Sequence, residues 1–143
     1  NSWGMGSQYW SRNLHYTSGI RPQYGILLDM VGGKGARFGK EYFSLQYAAP
    51  VVDKVWNLAT SMGYGNYFVP DQVGAVTDDH YFVNTIAGIP MIDIINRPPD
   101  TETGFPAHWH TPNDTLDAID PFTLRAVGQL MLAVIYREYA GTL

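Results

Sequence analysis

Two continuous apolar runs of strand length constrain the fold of this chain more than any other feature. They span residues 24–31 and 89–95, and glycine or proline residues stand beside each of them. Runs that are apolar on both faces are typical of central strands in α/β sheets. The sequence therefore predicts two adjacent central strands, whose interior positions are Leu27, Leu28, Ile92 and Ile94.

Helical patterns alternate with these runs. The predicted helices span residues 8–14, 48–62, 79–87 and 121–139, and a short strand spans residues 67–69. Ser7 is the candidate cap of the first helix, Thr77 or Asp78 that of the third, and Asp120 that of the last. Pro50 lies in the first turn of the second helix, where proline is tolerated. The alternation predicts one α/β domain over residues 1–143.

Composition excludes several classes of protein. A net charge of −4 with singly scattered basic residues disfavours nucleic-acid binding. No apolar run approaches the roughly 20 residues of a membrane span. Because the 143 residues include no cysteine, a metal site would have to use histidine and carboxylate ligands. Residues 1–7 lack the features of a signal peptide, and we interpret them as the interior of a longer or processed chain.

Polar residues break the apolar pattern at three places, each at a strand end or on a loop. Asp29 ends the first run, residues 77–80 read Thr-Asp-Asp-His, and residues 108–110 read His-Trp-His. Active sites of open α/β sheets lie at the carboxyl ends of strands. These three places are therefore the candidate site.

Each place also has a purely structural explanation. Asp29 could bind metal or transfer protons, or it could cap a helix or pair with an arginine. Of Asp78 and Asp79, one could cap the helix while the other enters a cleft, or both could complement the helix dipole. The histidines could chelate a metal, or they could be solvated loop residues.

Taken in order, these segments resemble the second half of the zinc exopeptidase and glutaminyl cyclase superfamily. The matching blocks are residues 27–32, residues 77–80 with 88–90 behind them, and residues 109–111 with Asp114. The resemblance covers nearly the whole chain. It implies a three-layer αβα sandwich with a mixed, largely parallel central sheet, of which these residues form the carboxy-terminal half.

The resemblance implies a role for each polar residue. His110 would be a zinc ligand, and Asp79 would be the cleft carboxylate of the active-site hydrogen-bond network. Asp29 would bind a second zinc in an aminopeptidase, or act as an acid/base carboxylate beside a single zinc in a cyclase. Trp109 would line the substrate pocket, and His80 would lie behind these groups.

Several details favour a cyclase. Trp109 directly precedes the ligand histidine, two aspartates precede His80, and residues 36–38 together with Asp93 resemble bacterial cyclases. His108 has no counterpart and is interpreted as a loop residue. The implied function is zinc-dependent conversion of an amino-terminal glutamine, on a peptide or protein, to pyroglutamate with release of ammonia. The alternatives are a zinc metallo-aminopeptidase and a metal-free binding module of the same fold.

The other expected ligands lie in the half of the family domain that this sequence does not contain. The cyclase would hold one zinc and the aminopeptidase two. Because a catalytic zinc needs three protein ligands, we expect the 143 residues alone to be inactive and to need the amino-terminal half as a partner. The bacterial resemblance also implies export, to the periplasm, the outer membrane or the medium.

Overall fold

Strands and helices alternate along the chain in the computed structural model, which describes residues 2–16 and 19–143. The elements in chain order are α1 (Met5–Arg12), β1 (Gly25–Asp29), β2 (Phe38–Glu41), α2 (Tyr42–Ser61), β3 (Phe68–Val73), α3 (Asp79–Phe82), β4 (Met91–Ile95) and α4 (Pro121–Ala140). A π-helical turn, Val83–Ala87, follows α3, and a 3₁₀ turn, Leu116–Ala118, precedes α4. No helix of this described part is both long and apolar enough to cross a bilayer.

The strands form two parallel pairs that meet at one antiparallel bridge. β1 pairs with β4, with Gly25 opposite Met91, and β2 pairs with β3. An isolated antiparallel bridge between Phe38 and Asn96 joins the two pairs. The predicted α/β class with a mixed, largely parallel sheet is therefore confirmed.

Helices cover both faces of β4. Ile92 and Ile94 have no exposed surface and join the core formed with α2 and α4, whose members include Val52, Val55 and Leu130. Between those two isoleucines, Asp93 faces the other way, toward His80 of α3. Because side chains alternate between the faces of a strand, α2 and α4 form one helical layer. The other layer consists of α3, the π turn and α1, which contacts both of them.

β1 differs most from its prediction. It spans Gly25–Asp29 rather than residues 24–31, and Leu28 is 44% exposed. The prediction that Leu28 is buried is wrong, and Leu27 is only half-buried, whereas the prediction for Ile92 and Ile94 is confirmed. The physical reason is that, within the described residues, β4 is the only strand paired with β1. An apolar run shows that a strand is suited to burial on both faces. Whether its side chains are buried depends on the neighbouring elements that pack against it.

The predicted second helix is the latter part of a longer one. α2 begins at Tyr42 and is interrupted at Ala48, where φ is −142° and ψ is 35°. This break lies two residues before Pro50, which has no N–H to donate to the preceding turn. The predicted start at residue 48 therefore coincides with the break. The first turn is capped by Glu41, whose carboxylate accepts hydrogen bonds from the N–H groups of Phe43 and Ser44.

The remaining helices match their predictions in part. α1 begins at Met5, and Ser7 does not cap it but donates a hydrogen bond to the Gly4 carbonyl. The third predicted helix is divided into α3, capped by Asp78, and the π turn, which ends at Gly88 with φ of +64°. α4 is capped by Asp120 as predicted. The predicted strand 67–69 is the start of β3, and β2 was not predicted.

Candidate active site

A cleft of ≈ 470 Å³ opens at the carboxyl end of β1, within the range of roughly 300–1,000 Å³ that is ordinary for small-molecule sites. Its walls come from the end of β1, the segment before α3 and the loop before α4. The lining residues are Trp3, Asp29, Met30, Val76, Thr77, Asp78, Phe105, Trp109, His110 and Asp114. Three residues singled out from the sequence, Asp29, Trp109 and His110, thus line one cleft.

Negative charge is concentrated beside Asp29. Burial raises the pKa of the Asp29 carboxyl, and the nearby Asp78 and Asp79 carboxylates raise it further. The Met30 N–H and the charge of His110 act in the opposite direction. A carboxyl group with a raised pKa accepts and returns protons more readily near neutral pH. The surplus of carboxylates also favours a cation in the cleft.

Asp78 and Asp79 occupy different surroundings. The Asp78 carboxylate accepts the Asp79 N–H at 2.7 Å, so Asp78 caps α3, and the same residue lines the cleft. Asp79 lines the neighbouring groove beside Gly6 and Trp10 of α1. The role of Asp79 as the cleft carboxylate stays a prediction, because the structure shows only its electrostatic influence on Asp29.

An aromatic stack forms part of the cleft wall. The His110 ring stacks on Trp109 with centroids 3.9 Å apart, and Phe105 stacks on Trp109 at 4.4 Å. The Arg97 guanidinium lies 4.3 Å from the centre of the Phe105 ring. At such separations the imidazole and the phenyl ring occupy opposite faces of the indole, so its edge is left for the cleft. Stacking of a substrate on the indole face therefore requires one of these rings to move away.

The backbone of His110 is unusual. Its φ is +57°, in the left-handed region that non-glycine residues seldom adopt. The side chain is exposed to the cleft. His108 instead lines a separate small cavity beside Gly32 and Ile119, and its Nε2 lies 3.9 Å from an Asp114 oxygen. The two histidines of the predicted His-x-His pair therefore face different spaces, in agreement with the interpretation of His108 as a loop residue.

His80 belongs to a buried cluster behind the cleft. His80, Glu41 and Asp93 have no exposed surface. The His80 Nε2 lies 3.0 Å from Glu41 Oε2, and its Nδ1 lies 3.8 Å from Asp93 Oδ2. Glu41 was not predicted from the sequence, where the only available signal is a carboxylate directly before an apolar helical stripe. His80 is the residue after Asp79, so this cluster anchors the start of α3.

The two carboxyl groups of this cluster are perturbed in opposite directions. Burial acts to raise the pKa of Glu41, but hydrogen bonds from His80 and from the N–H groups of Phe43, Ser44 and Val76 lower it to about 2. Burial raises the pKa of Asp93 to about 8, and the surrounding carboxylates add to this effect. Neither oxygen of Asp93 has a hydrogen-bond partner. Burial without a hydrogen-bond partner thus favours the neutral, protonated form of Asp93.

The donor atoms in the cleft fit zinc only in part. The imidazole of His110 and the carboxylate of Asp29 are ligand types that zinc accepts. Within residues 2–16 and 19–143, however, no group of three or more histidine, aspartate or glutamate side chains could hold a metal ion. A three-ligand zinc site that includes His110 and the nearby carboxylate would therefore need a further ligand from outside these residues.

Comparisons with known proteins give a consistent result. The model of peptidase family M28 matches residues 2–135. The glutaminyl cyclase of Porphyromonas gingivalis is 50% identical and superimposes with a TM-score of 0.91 over 96% of the chain. A Zn-dependent exopeptidase from Parabacteroides distasonis is 51% identical, with a TM-score of 0.90 over 95% of the chain. A leucine aminopeptidase precursor from Bacteroides thetaiotaomicron is 48% identical, with a TM-score of 0.85 over 94%. The chain covers 49%, 46% and 44% of these proteins, respectively.

Proposed function

Since the chain belongs to peptidase family M28, an enzyme family with zinc-dependent members, we propose that it forms half of the catalytic domain of a zinc-dependent glutaminyl-peptide cyclotransferase. This enzyme converts an amino-terminal glutamine of a peptide or protein to pyroglutamate and releases ammonia. The likeness to the P. gingivalis cyclase over 96% of the chain supports the reaction type. Export from the cell is part of the same proposal.

The observation that carries the proposal is the composition of the cleft. Asp29, Asp78 and Trp109 line the same space. Carboxylates attract the ammonium group of a peptide amino terminus, and the indole limits the room for the side chain to that of a small group such as the glutamine carboxamide. Both ends of the reacting residue thus meet complementary chemistry within one space.

The residues of the chain have distinct tasks in this reaction. Asp29, whose pKa is raised, takes a proton from the α-ammonium group, so that the amine can attack the side-chain carboxamide. Asp29 releases this proton to solvent, takes the second proton that the attacking nitrogen loses as the lactam bond forms, and passes it to the departing nitrogen, which leaves as ammonia. Such general acid–base assistance contributes about 10²–10⁴ in rate. His110, together with ligands outside this chain, would hold zinc, and the metal would supply polarisation of the carboxamide oxygen. Trp109 restricts the space beside the reacting atoms.

A metallo-aminopeptidase is the second candidate. It is favoured by the likeness to the leucine aminopeptidase precursor and by the Asp29 carboxylate, which could hold a second zinc. In that enzyme Asp29 and His110 would hold metal, and the reaction would be hydrolysis of the peptide bond after the first residue. The metal-free binding module is disfavoured by the concentration of Asp29, Asp78 and His110 in one cleft, since uncompensated carboxylates there destabilise the fold.

The metal assignment is tested with a matched pair of histidine variants in a protein that contains both halves of the family domain. His110→Ala should lower the zinc content and abolish turnover, because it removes a ligand. His108→Ala makes the same chemical change on the same loop, two residues away, and should leave zinc content and turnover close to wild type. Zinc is measured by elemental analysis. Full zinc content in His110→Ala would contradict the assignment.

The choice between cyclase and peptidase is tested with peptides that begin with glutamine or with leucine. We expect pyroglutamate formation from the first to exceed release of leucine from the second. Trp109→Ala should reduce cyclisation at least about tenfold without loss of zinc, since truncation of the indole widens the pocket. Faster release of leucine, or unchanged cyclisation in Trp109→Ala, would favour the aminopeptidase.

A further inference from the structure

The segment before α3 forms part of the cleft wall without regular structure. Residues 74–78 belong to neither a helix nor a strand, yet residues 76–78 line the cleft. Asp78 and Asp79, here called the acidic pair, stand where this segment meets α3 and act on the charge of Asp29. Loops are more mobile than the elements that they connect. The position of the acidic pair relative to Asp29 therefore depends on contacts outside the regular elements.

One buried carboxylate binds this segment at two points. The Val76 N–H donates a hydrogen bond to Glu41 Oε1 at 2.9 Å, and His80 Nε2 lies 3.0 Å from Glu41 Oε2. The lowered pKa of Glu41, about 2, keeps this carboxyl group ionised. An ionised carboxylate can only accept hydrogen bonds, so His80 Nε2–H is the donor. The two attachments stand on either side of residues 77–79 along the chain, and the acidic pair lies between them.

Glu41 is itself fixed in the fold. It ends β2 opposite Val73, the last residue of β3, and so lies beside the point where the segment begins. Its Oε2 also accepts hydrogen bonds from the N–H and the hydroxyl group of Ser44, at 2.7 and 2.8 Å. The Ser44 hydroxyl oxygen in turn accepts the Asp93 N–H at 2.9 Å. The carboxylate is thus connected both to the start of α2 and to β4.

Capping of α2 does not by itself explain this arrangement. Short side chains such as aspartate and serine are the preferred helix caps, and the partly exposed Asp120 caps α4 in this way. Glu41 has no exposed surface, and burial of a carboxylate is costly unless donors within the protein replace water. The first turn of α2 supplies the donors that a cap uses. The donors from Val76 and His80 are additional, and both belong to the wall of the cleft or to the residue behind it.

We propose that Glu41 is a positioning residue, which holds the acidic pair in place beside Asp29 through its hydrogen bonds to Val76 and His80. Because Glu41 is fully buried, it acts on a substrate only through the segment that it binds. Misplacement of an orienting group by about 1 Å can reduce a rate about 10²-fold. The inference deepens the proposed function and rests on it for the reaction that the acidic pair serves.

The test uses Glu41→Gln in a protein that contains both halves of the family domain. The amide keeps the size of the side chain but accepts hydrogen bonds at only one of its two ends, so it cannot accept from both Val76 and His80. With a glutamine-initiated peptide, kcat should fall about 10- to 100-fold. KM should rise about two- to fivefold, because attraction of the substrate ammonium group by the partly exposed Asp78 is weakened. Zinc content should stay at the wild-type level, since His110 lies on another loop.

Two control variants separate positioning from general stability. Asp120→Asn makes the same chemical change at the cap of another helix and should retain wild-type kcat and KM. Val55→Ala, at a fully buried core position, should lower the melting temperature. A merely structural defect reduces the fraction of active enzyme, so it lowers the apparent kcat and leaves KM unchanged. Unchanged KM in Glu41→Gln, or an equal rise of KM in Val55→Ala, overturns the inference.

Hydrogen exchange gives a measurement that does not depend on activity. The amides of Val76 and Asp79 both donate hydrogen bonds in this segment, and in Glu41→Gln they should exchange at least about tenfold faster than in wild type. Equal exchange overturns the inference. A wild-type protein that forms no pyroglutamate contradicts the proposed function, and the exchange rates then still decide whether Glu41 holds the segment.

His80→Leu is the second variant, in case Glu41→Gln does not fold. It removes one attachment and leaves the hydrogen bond from the Val76 N–H to Glu41. The Asp79 amide should therefore exchange faster, the Val76 amide should stay protected, and KM should rise as in Glu41→Gln. Wild-type KM together with wild-type exchange of Asp79 in His80→Leu overturns the inference.

Discussion

Replacing Asp93 with asparagine should remove a large part of the pH dependence of stability. Asp93 is fully buried, and its nearest basic atom, His80 Nδ1, is 3.8 Å away, beyond hydrogen-bond range. Burial and the neighbouring carboxylates raise its pKa from 3.8 to about 8. The folded state therefore keeps a proton that the unfolded chain loses above pH 4. The contribution of the protonated Asp93 to the free energy of unfolding is fully present below that pH and is lost as the pH rises toward 8.

The magnitude follows from the difference between the two pKa values. Each pH unit between them is equivalent to about 1.4 kcal/mol. Between pH 4.5 and pH 7.5 the wild-type chain should thus lose roughly 4 kcal/mol relative to Asp93→Asn, whose amide does not titrate. Glu41 does not affect this comparison. Its pKa is lowered to about 2, so its contribution to stability changes with pH only below about pH 4.5. Below pH 4.5 the pH dependence from Glu41 has the opposite sign to that from Asp93. The stability that Glu41 contributes is present above its unfolded pKa and is lost as the pH falls toward 2.

The assay is urea unfolding of the 143-residue chain and its variants at several pH values. Asp117→Asn, a change of the same kind at an exposed position, is the matched control and should follow the wild-type curve. Parallel curves for wild type and Asp93→Asn would refute the reasoning. They would mean that Asp93 is ionised and compensated in the folded protein.

Two further predictions concern the sheet and α4. Ile92→Ala, at a position with no exposed surface, should destabilise the chain by about 2–5 kcal/mol. Leu28→Ala, at the open edge, should destabilise it by less than about 1 kcal/mol. Similar losses of stability in urea unfolding would contradict the edge position of β1. Gly39→Ala should destabilise by roughly 1–3 kcal/mol, because a Cβ there would lie 2.6 Å from a Val73 methyl group and 2.9 Å from a backbone oxygen. Gly128→Ala should stabilise α4 by about 0.5–1 kcal/mol, because the new Cβ would meet no atom within 4 Å. If the melting temperatures of Gly39→Ala and Gly128→Ala shifted in the same direction, this contrast would be contradicted.

The parts of the fold that could be predicted are those with a strong local pattern. β4 and α4 have continuous or periodic apolar residues, and Asp120 before Pro121 is a clear helix start. β2 reads Phe-Gly-Lys-Glu, and its strand conformation depends on pairing with β3, which no local pattern encodes. The exposure of Leu28 likewise depends on which element lies beyond β1. In both cases the deciding interaction comes from a distant part of the chain.

The candidate site was predictable to a similar extent. Asp29, Trp109 and His110 could be placed in one cleft because strand ends and the loops beside them converge at one edge of an α/β sheet. The sequence pattern could not decide whether Asp78 or Asp79 enters the cleft. Consecutive residues at the start of a helix point about 100° apart, so the answer depends on how the helix is oriented. The sequence places both near the cleft, and only the orientation of α3 separates them.

The pairing of β1 with β4 has a consequence for synthesis on the ribosome. β2, α2 and β3 all lie between these two strands in the chain, so β1 emerges long before its partner. At about 5–20 residues per second, the interval lasts several seconds. β2, α2 and β3 form a local unit that can fold during this delay, while the side of β1 that pairs with β4 remains open. The nascent chain therefore displays one edge of an apolar strand during the delay, and that segment is where we expect a ribosome-associated chaperone to bind.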